Sequence, residues 1–159
     1  MGRSVIQDVY EAISGLELTI GERILTCAKP SSVPNTITTA HLPLRILTPL
    51  SRFSNQFAMA ANSFNPNEGS GVNNIFWTIT ELFLLTPISQ GSGIRFQNDA
   101  LVEYCAEFFE KLGDGSLQLP TNTWIQNVTF RPDIIEYPLG TGQFYFGVVG
   151  VFTISEKVP

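Results

Sequence analysis

The chain offers few side chains that could carry out chemistry, and its one histidine is the first to consider. Ser-His-Asp or Cys-His catalysis would have to use His41, because the 159 residues contain a single histidine. No catalytic motif surrounds it, and the sequence continues directly into Leu42-Pro43. A lone histidine ahead of a strand is typical of a structural or exposed position, and we interpret His41 in that way.

Metal ions and phosphates would need other groupings of residues. A metal site requires His, Cys, Asp or Glu clustered at ligand spacing, and no other potential metal ligands lie at that spacing from Cys27 or Cys105. Gly91-Ser92-Gly93 and Gly140-Thr141-Gly142 lack the spacing and the lysine of a phosphate-binding loop, so both are interpreted as turns. The sequence therefore predicts no metal, no cofactor and no catalytic residue, and it predicts two buried thiols in a reducing cytoplasm instead of a disulfide.

Paired carboxylates could serve acid–base chemistry, but most acidic residues here occupy predicted helix exteriors or strand ends. Glu81 is exceptional because it lies within an apolar predicted strand. One interpretation makes it a catalytic carboxylate. The interpretation that we favour is an outward position or a salt bridge to a basic residue such as Arg45 or Arg131.

The composition is typical of a protein that assembles with others. Hydrophobic residues make up 43% of the chain and charged residues 14%, whereas an average soluble domain has about 25% charged residues. Such a chain either buries apolar surface against partners or covers a monomer with Ser, Thr, Asn and Gln. The net charge is −5 and the basic residues are scattered, which disfavours sequence-specific nucleic-acid binding. An acidic surface could still face DNA without gripping it, as in a conduit.

The length fits one domain, 1–159. No apolar run approaches the roughly 18–20 residues that span a bilayer, and the N-terminus shows helical spacing instead of the apolar core of a signal peptide. We therefore expect no contact with a membrane.

The apolar periodicity predicts the element order α, β, β, long arm, β, α, β, β. The first predicted helix spans 4–15, with Ser4 as its cap and Gln7 at the capping-box position, and the second spans 99–112, with Asn98 or Asp99 as its cap. The predicted strands are 22–28, 42–48, 74–86, 123–131 and 143–155. Residues 132–142 are predicted to be a connection. The expected fold class is α+β, with an antiparallel or mixed sheet, two amphipathic helices packed on one face, and a long extended loop or hairpin arm.

The last predicted strand is apolar on both faces. Alternation places Phe144, Phe146, Val148, Phe152 and Ile154 on one face and Tyr145, Val149 and Val151 on the other. A strand of this kind is covered twice. The helices can supply one cover, and a neighbouring subunit could supply the other.

Residues 51–73 form the least regular part of the sequence, yet they contain several aromatic residues. Pro, Gly, Ser and Asn disfavour a core element here, while Phe53, Phe57 and Phe64 would be costly to leave in water. We predict a protruding arm that becomes ordered against a neighbour. The alternative is a short helix at 53–61 that packs on its own domain. The subunit-interface candidates are thus Phe53, Phe57, Phe64, Tyr145, Val149 and Val151.

The order of elements resembles that of phage tail terminator and tail-completion proteins. The resemblance is carried by the helix Val5 to Ile13, the strand His41 to Leu47, the strand Phe76 to Leu85 with Thr86 to Gly91 after it, the helix Ala100 to Leu112, and the strand Tyr145 to Phe152. It covers most of the chain as an order of elements.

This resemblance implies a structural virion protein without catalytic residues. Such proteins form homohexameric rings at the head-proximal end of the tail, where they end the growth of the tail tube and join the tail to the head. The implied partners are further copies of the chain, the tail tube protein and a neck or head-completion protein, while DNA passes through without specific binding. The implied location is the virion, and the host cytoplasm during assembly. The alternatives are another neck component, such as a head–tail adaptor or tail tube protein, and a small-ligand-binding domain.

Overall fold

The computed structural model describes residues 5–28, 33–34, 36–47, 57–61, 64–65, 71–72, 74–89, 94–138 and 140–157. The helices are α1 (Ile6–Gly15) and α2 (Ile94–Gly113), with a 3-10 helix at Thr39–His41. The strands are β1 (Leu18–Ile20), β2 (Arg23–Leu25), β3 (Cys27–Ala28), β4 (Leu44–Leu47), β5 (Phe57–Ala61), β6 (Phe64–Asn65), β7 (Gly71–Val72), β8 (Asn74–Pro87), β9 (Thr123–Glu136) and β10 (Phe144–Lys157).

A mixed six-stranded sheet organises the chain. Its order is β3-β4-β8-β10-β9, and β5 also pairs with β8. The pair β3–β4 is parallel and the other pairs are antiparallel. The ladder is interrupted by bulges, where Leu85 of β8 and Gln126 of β9 have no partner on β10. The predicted α+β class with a mixed sheet is confirmed.

Both helices pack on the same face of this sheet. The main core joins α1 through Val9 and Ile13, α2 through Leu101 and Phe108, and the sheet through residues that include Trp77, Phe83, Val148, Phe152 and Ile154. Burial of one such side chain stabilises the fold by about 1.5–3 kcal/mol. The apolar stripes predicted from the helical period therefore face the sheet, as expected.

A second, smaller cluster covers part of the opposite face. Leu42, Ile46, Leu82, Leu84, Ile135 and Tyr145 are buried there, and Val33, Ile37 and Val149 pack against them. Val33, Ile37 and Leu42 of the same chain thus pack over this end of β10. Tyr145 and Val149 have cover from their own chain, and their assignment as interface residues stays a prediction.

Several predicted boundaries were wrong. Helix α2 begins at Ile94, so Asn98 and Asp99 are exposed residues within it and not its cap. Strand β9 continues through Pro132 to Glu136, since an edge strand tolerates a proline whose missing N–H would face away from the ladder. The predicted strand 22–28 is divided into β2 and β3.

The start of α1 also differs from the prediction. Ser4 lies outside the described residues, and the cap is Val5, which has no side-chain cap bond. The Val5 N–H donates instead to Glu156 Oε1 at 3.1 Å, so a carboxylate from β10 satisfies it. The Gln7 side chain, predicted to close a capping box, donates to Glu11 Oε1 at 3.5 Å.

The predicted arm is built on a β-hairpin. Phe57 faces Ile79, Ala61 faces Ile75 and Asn65 faces Gly71, so the pairs of β5–β8 and of β6–β7 are in the same register. The base of the hairpin belongs to the chain's own sheet, which makes the alternative helix wrong over 57–61. Among the described residues, β6 and β7 pair only with each other.

Candidate functional site

Glu81, the acidic residue within an apolar strand, forms a buried ion pair. Arg45 Nε donates to Glu81 Oε1 at 2.5 Å, and both side chains are 0% exposed. The pair forms because β4 lies beside β8 and sets Leu44 against Leu84 and Leu47 against Glu81. Of the two salt-bridge partners predicted for Glu81, Arg45 is confirmed. Arg131 instead pairs with Asp133 on the surface, at 3.2 Å.

The ion pair is held in a larger polar cluster, which we name the Arg45–Glu81 cluster and define as Arg45, Glu81, Tyr104 and Cys27. The Tyr104 hydroxyl donates to Glu81 Oε1 at 3.0 Å. Arg45 Nη1 donates to the carbonyl oxygens of Leu16 at 2.6 Å and Leu25 at 2.9 Å. The guanidinium therefore ties the end of α1 and strand β2 to the sheet.

Aromatic rings enclose the cluster. Tyr104 stacks on Phe83 with ring centroids 4.0 Å apart, and the Arg45 guanidinium lies over the Phe108 ring at 5.3 Å. Sequence periodicity missed Tyr104, because the predicted face of α2 ran through Leu101, Cys105 and Phe108. The helical spacing does place Tyr104 on this face, since it lies three residues after Leu101 and four before Phe108.

Burial and charge together set the ionisation of the cluster. Burial alone would lower the pKa of Arg45, but the Glu81 carboxylate more than offsets this and the pKa rises. Burial raises the pKa of Tyr104 well above its ordinary value, and the charge of Glu81 adds to the rise. The pKa of Cys27 is raised for the same two reasons. Arginine is thus held charged, while the phenol and the thiol are held neutral.

The Arg45–Glu81 cluster is closed off from solvent. Arg45 and Glu81 are fully enclosed and Tyr104 is 1% exposed, so no substrate reaches them without opening the core. Arg45 Nη2 and Glu81 Oε2 have no hydrogen-bond partner among the described residues. Such atoms add to the cost of burying the pair. We interpret the cluster as a set of buried contacts that holds the helix layer against the sheet.

We expect the stability of the protein to fall at alkaline pH. In the unfolded chain the Cys27 thiol and the Tyr104 phenol ionise near their ordinary pKa values of 9.0 and 10.0. In the folded chain both pKa values are raised, so the folded state retains protons that the unfolded state loses. The stabilisation is complete below about pH 9 and declines as the pH rises toward the folded pKa values, by up to about 1.4 kcal/mol per pH unit for each group.

Urea denaturation of the wild type and of Tyr104→Phe between pH 8 and pH 11 measures this effect. Tyr104→Phe removes one of the two groups, so its stability should decline less steeply above pH 10. Equal slopes for the two proteins would contradict the assignment of Tyr104.

His41 has a local structural contact. The Thr38 N–H donates to His41 Nδ1 at 3.0 Å, and Thr38 and His41 form a capping box around the 3-10 helix. This contact agrees with the structural interpretation of the histidine. Cys27 and Cys105 are both free thiols.

A shallow depression lies between the ends of the two helices. It is lined by Gly15, Leu16, Glu17, Lys111 and Ser116. A ligand pocket is usually apolar with a few convergent polar groups, and this depression offers mostly polar atoms. It gives little support to the small-ligand alternative.

The predicted interface residues have different positions. Phe53 lies outside the described residues, and Phe57 and Phe64 lie in β5 and β6, where only the backbone is described. Tyr145 is 3% exposed and Val149 packs beside it in the second cluster. Val151 is half-buried, faces Thr80 and Thr129 in the ladder and belongs to neither cluster.

Across the described ranges, no group of three or more His, Cys, Asp or Glu side chains could hold a metal ion. In the same part of the chain, no helix is both long and apolar enough to span a membrane. Comparison with protein-family models and with curated protein sequences gives no match to this chain.

Proposed function

We propose that this protein is a structural component of a bacteriophage virion that forms a ring at the head-proximal end of the tail. In this role it ends the growth of the tail tube and joins the tail to the neck. Its partners are further copies of the chain, the tail tube protein and a neck or head-completion protein. The resemblance in element order supports this assignment, and another neck component, such as a head–tail adaptor or tail tube protein, is the alternative.

The observation that carries the proposal is the hairpin formed by β5–β6 and β7–β8. Its strands pair over 57–61 with 75–79 and over 64–65 with 71–72, and the sequence has no charged residue over 57–65 or 71–79. Proteins normally protect exposed strand edges with charged residues, because an unprotected edge pairs with other chains. A hairpin whose strands carry no charge is therefore suited to pairing with a neighbour.

The charge of the chain suits a protein that surrounds DNA without binding it. Proteins that grip phosphates do so with clustered Lys and Arg, and their affinity falls steeply with salt. Here the net charge is −5 and only nine basic residues are present. Of these, Arg45 is buried in an ion pair. A neutral to acidic wall would let DNA slide through the ring.

We expect the purified protein to be an oligomer, with six copies as the expected number. Size-exclusion chromatography with light scattering gives the mass, and negative-stain images show whether the particle is a ring. A chain mass of 17.5 kDa makes a monomer and a hexamer easy to distinguish. A stable monomer at micromolar concentration would count against the proposal.

A further inference from the structure

One flank of helix α2 is apolar and uncovered. Val102 and Phe109, seven residues apart, lie on the same side of the helix and are 52% and 51% exposed. The Phe109 ring contacts Phe130 of β9 edge to face at 5.0 Å, which places this flank beside β9. We name it the β9-side flank.

The opposite flank of α2 is covered and polar. Glu107 Oε1 accepts the N–H of Thr19 at 3.1 Å, and Glu103 Oε1 accepts the N–H of Gly21 at 3.3 Å. The carboxylates of α2 thus have partners where the chain supplies a second layer. The exposed apolar side chains lie on the flank where the described residues supply no second layer.

Strand β9, beside the β9-side flank, is the outermost strand of the sheet. Among the described residues it pairs with β10 alone. Its charged residues and Pro132 lie in its second half, while residues 123–130 contain no charge. The first half of this edge therefore lacks the usual protection against pairing with another chain.

The same chain carries an element that fits this edge. The sequence over residues 57–65 and 71–79, which includes the hairpin strands β5, β6, β7 and the first part of β8, is equally free of charge. Two uncharged strand edges can pair without desolvating an ion, whereas an unpaired charge buried between them would cost several kcal/mol. Since both edges belong to one sequence, a second copy of this chain supplies the matching partner.

We propose that the edge of β9 over residues 123–130, with the β9-side flank of α2, is the site that receives the hairpin of a neighbouring copy by strand addition. This assignment rests on the proposed self-assembly and names the surfaces that meet. The backbone of β9 supplies the hydrogen bonds, and Val102 and Phe109 supply an apolar wall against the added hairpin. Each copy donates one hairpin and accepts one, so the contact is head-to-tail and closes into a ring when the rotation allows.

The first test places a charge in the acceptor site. Val102→Glu should raise the protein concentration at which the oligomer dissociates by roughly tenfold or more, because the carboxylate would be buried without a partner. Ile24→Glu, at an exposed apolar position of β2 away from this flank, is the matched control and should assemble as the wild type does. Both variants should keep the wild-type circular dichroism spectrum, since both positions are exposed.

Light scattering separates the two hypotheses. If the wild type assembles and Val102→Glu assembles equally well, the acceptor site is wrong while self-assembly stands. If Ile24→Glu dissociates to the same extent, charge acts generally and the assigned site is again overturned. If the wild type is a monomer at all concentrations, the proposed function fails as well.

The second test locates the donor by cross-linking. In a Cys105→Ser background, one population carries Asn65→Cys in the hairpin and another, with a different tag, carries Asn127→Cys in β9. A short bis-maleimide should link the two populations to each other, and linking should be much weaker within either population alone. Absence of the mixed product, in a sample that light scattering shows to be assembled, would overturn the pairing.

Discussion

Replacing Glu81 with alanine is expected to lower the free energy of unfolding by about 3–5 kcal/mol. The substitution leaves the Arg45 guanidinium at 0% exposure without its counter-charge. It also removes the acceptor of the Tyr104 hydroxyl, which donates to Glu81 Oε1 at 3.0 Å. A domain of this size has a total stability of about 5–15 kcal/mol, so the loss would unfold a large fraction of the molecules under mild denaturant.

Urea denaturation monitored by circular dichroism measures this loss of stability. Two control variants test whether the loss comes from the unpaired buried charge. The double variant Arg45→Met with Glu81→Leu removes both charges together and should recover part of the stability. The recovery is incomplete because the carbonyl oxygens of Leu16 and Leu25 lose the donor that Arg45 supplies. Arg131→Ala breaks the exposed pair with Asp133 and should change stability by only about 0–1 kcal/mol. A loss below about 1 kcal/mol for Glu81→Ala would show that the pair does not lock the helices onto the sheet.

Replacing Gly147 with alanine is expected to destabilise the protein by about 3 kcal/mol or more. A Cβ atom at this position would lie 2.0 Å from the carbonyl oxygen of Phe83 and 2.8 Å from Ile135 Cδ1. Gly147 faces Leu84 at the point where β8 bulges at Leu85. The backbones approach closely there, and a fixed carbonyl cannot move aside as a flexible side chain could.

Two other glycines calibrate the Gly147 result. Gly15 ends α1, and a Cβ atom added there would meet nothing within 4 Å, so Gly15→Ala should be neutral or slightly stabilising. At Gly150 the added Cβ would meet the Phe130 ring at 2.9 Å, and Gly150→Ala should cost less than Gly147→Ala because the ring can shift. Midpoints in urea rank the three variants, and a Gly147→Ala variant as stable as Gly15→Ala would contradict the close approach at the bulge.

Local pattern in the sequence determined the elements that face the core. The apolar spacing of α1 and α2 predicted the stripes that now pack on the sheet, because a helix repeats every 3.6 residues whatever it packs against. Alternation along 143–155 likewise predicted the two faces of β10. The position of Glu81 in an apolar strand was enough to predict a salt bridge, since a buried carboxylate needs a partner.

Only the tertiary structure decided which strands are neighbours. The choice of Arg45 over Arg131 follows from β4 lying beside β8, a pairing that no local pattern encodes. The position of Tyr104 beside Glu81 likewise follows from how α2 lies across the sheet. Val33, Ile37 and Leu42 pack over Tyr145 and Val149 because the chain folds back over that face of the sheet.

Element ends show the same division between local and long-range effects. Asn98 and Asp99 are good cap residues, but α2 begins at Ile94, since local capping contributes only about 1 kcal/mol and packing outweighs it. Pro132 is a strand breaker by propensity, yet β9 runs through it because the strand lies at the sheet edge. The apolar periodicity of the sequence, which acts over a few positions, thus determined which residues face the core. The strand pairing, the register and the ends of the elements depended on contacts between residues distant in the chain.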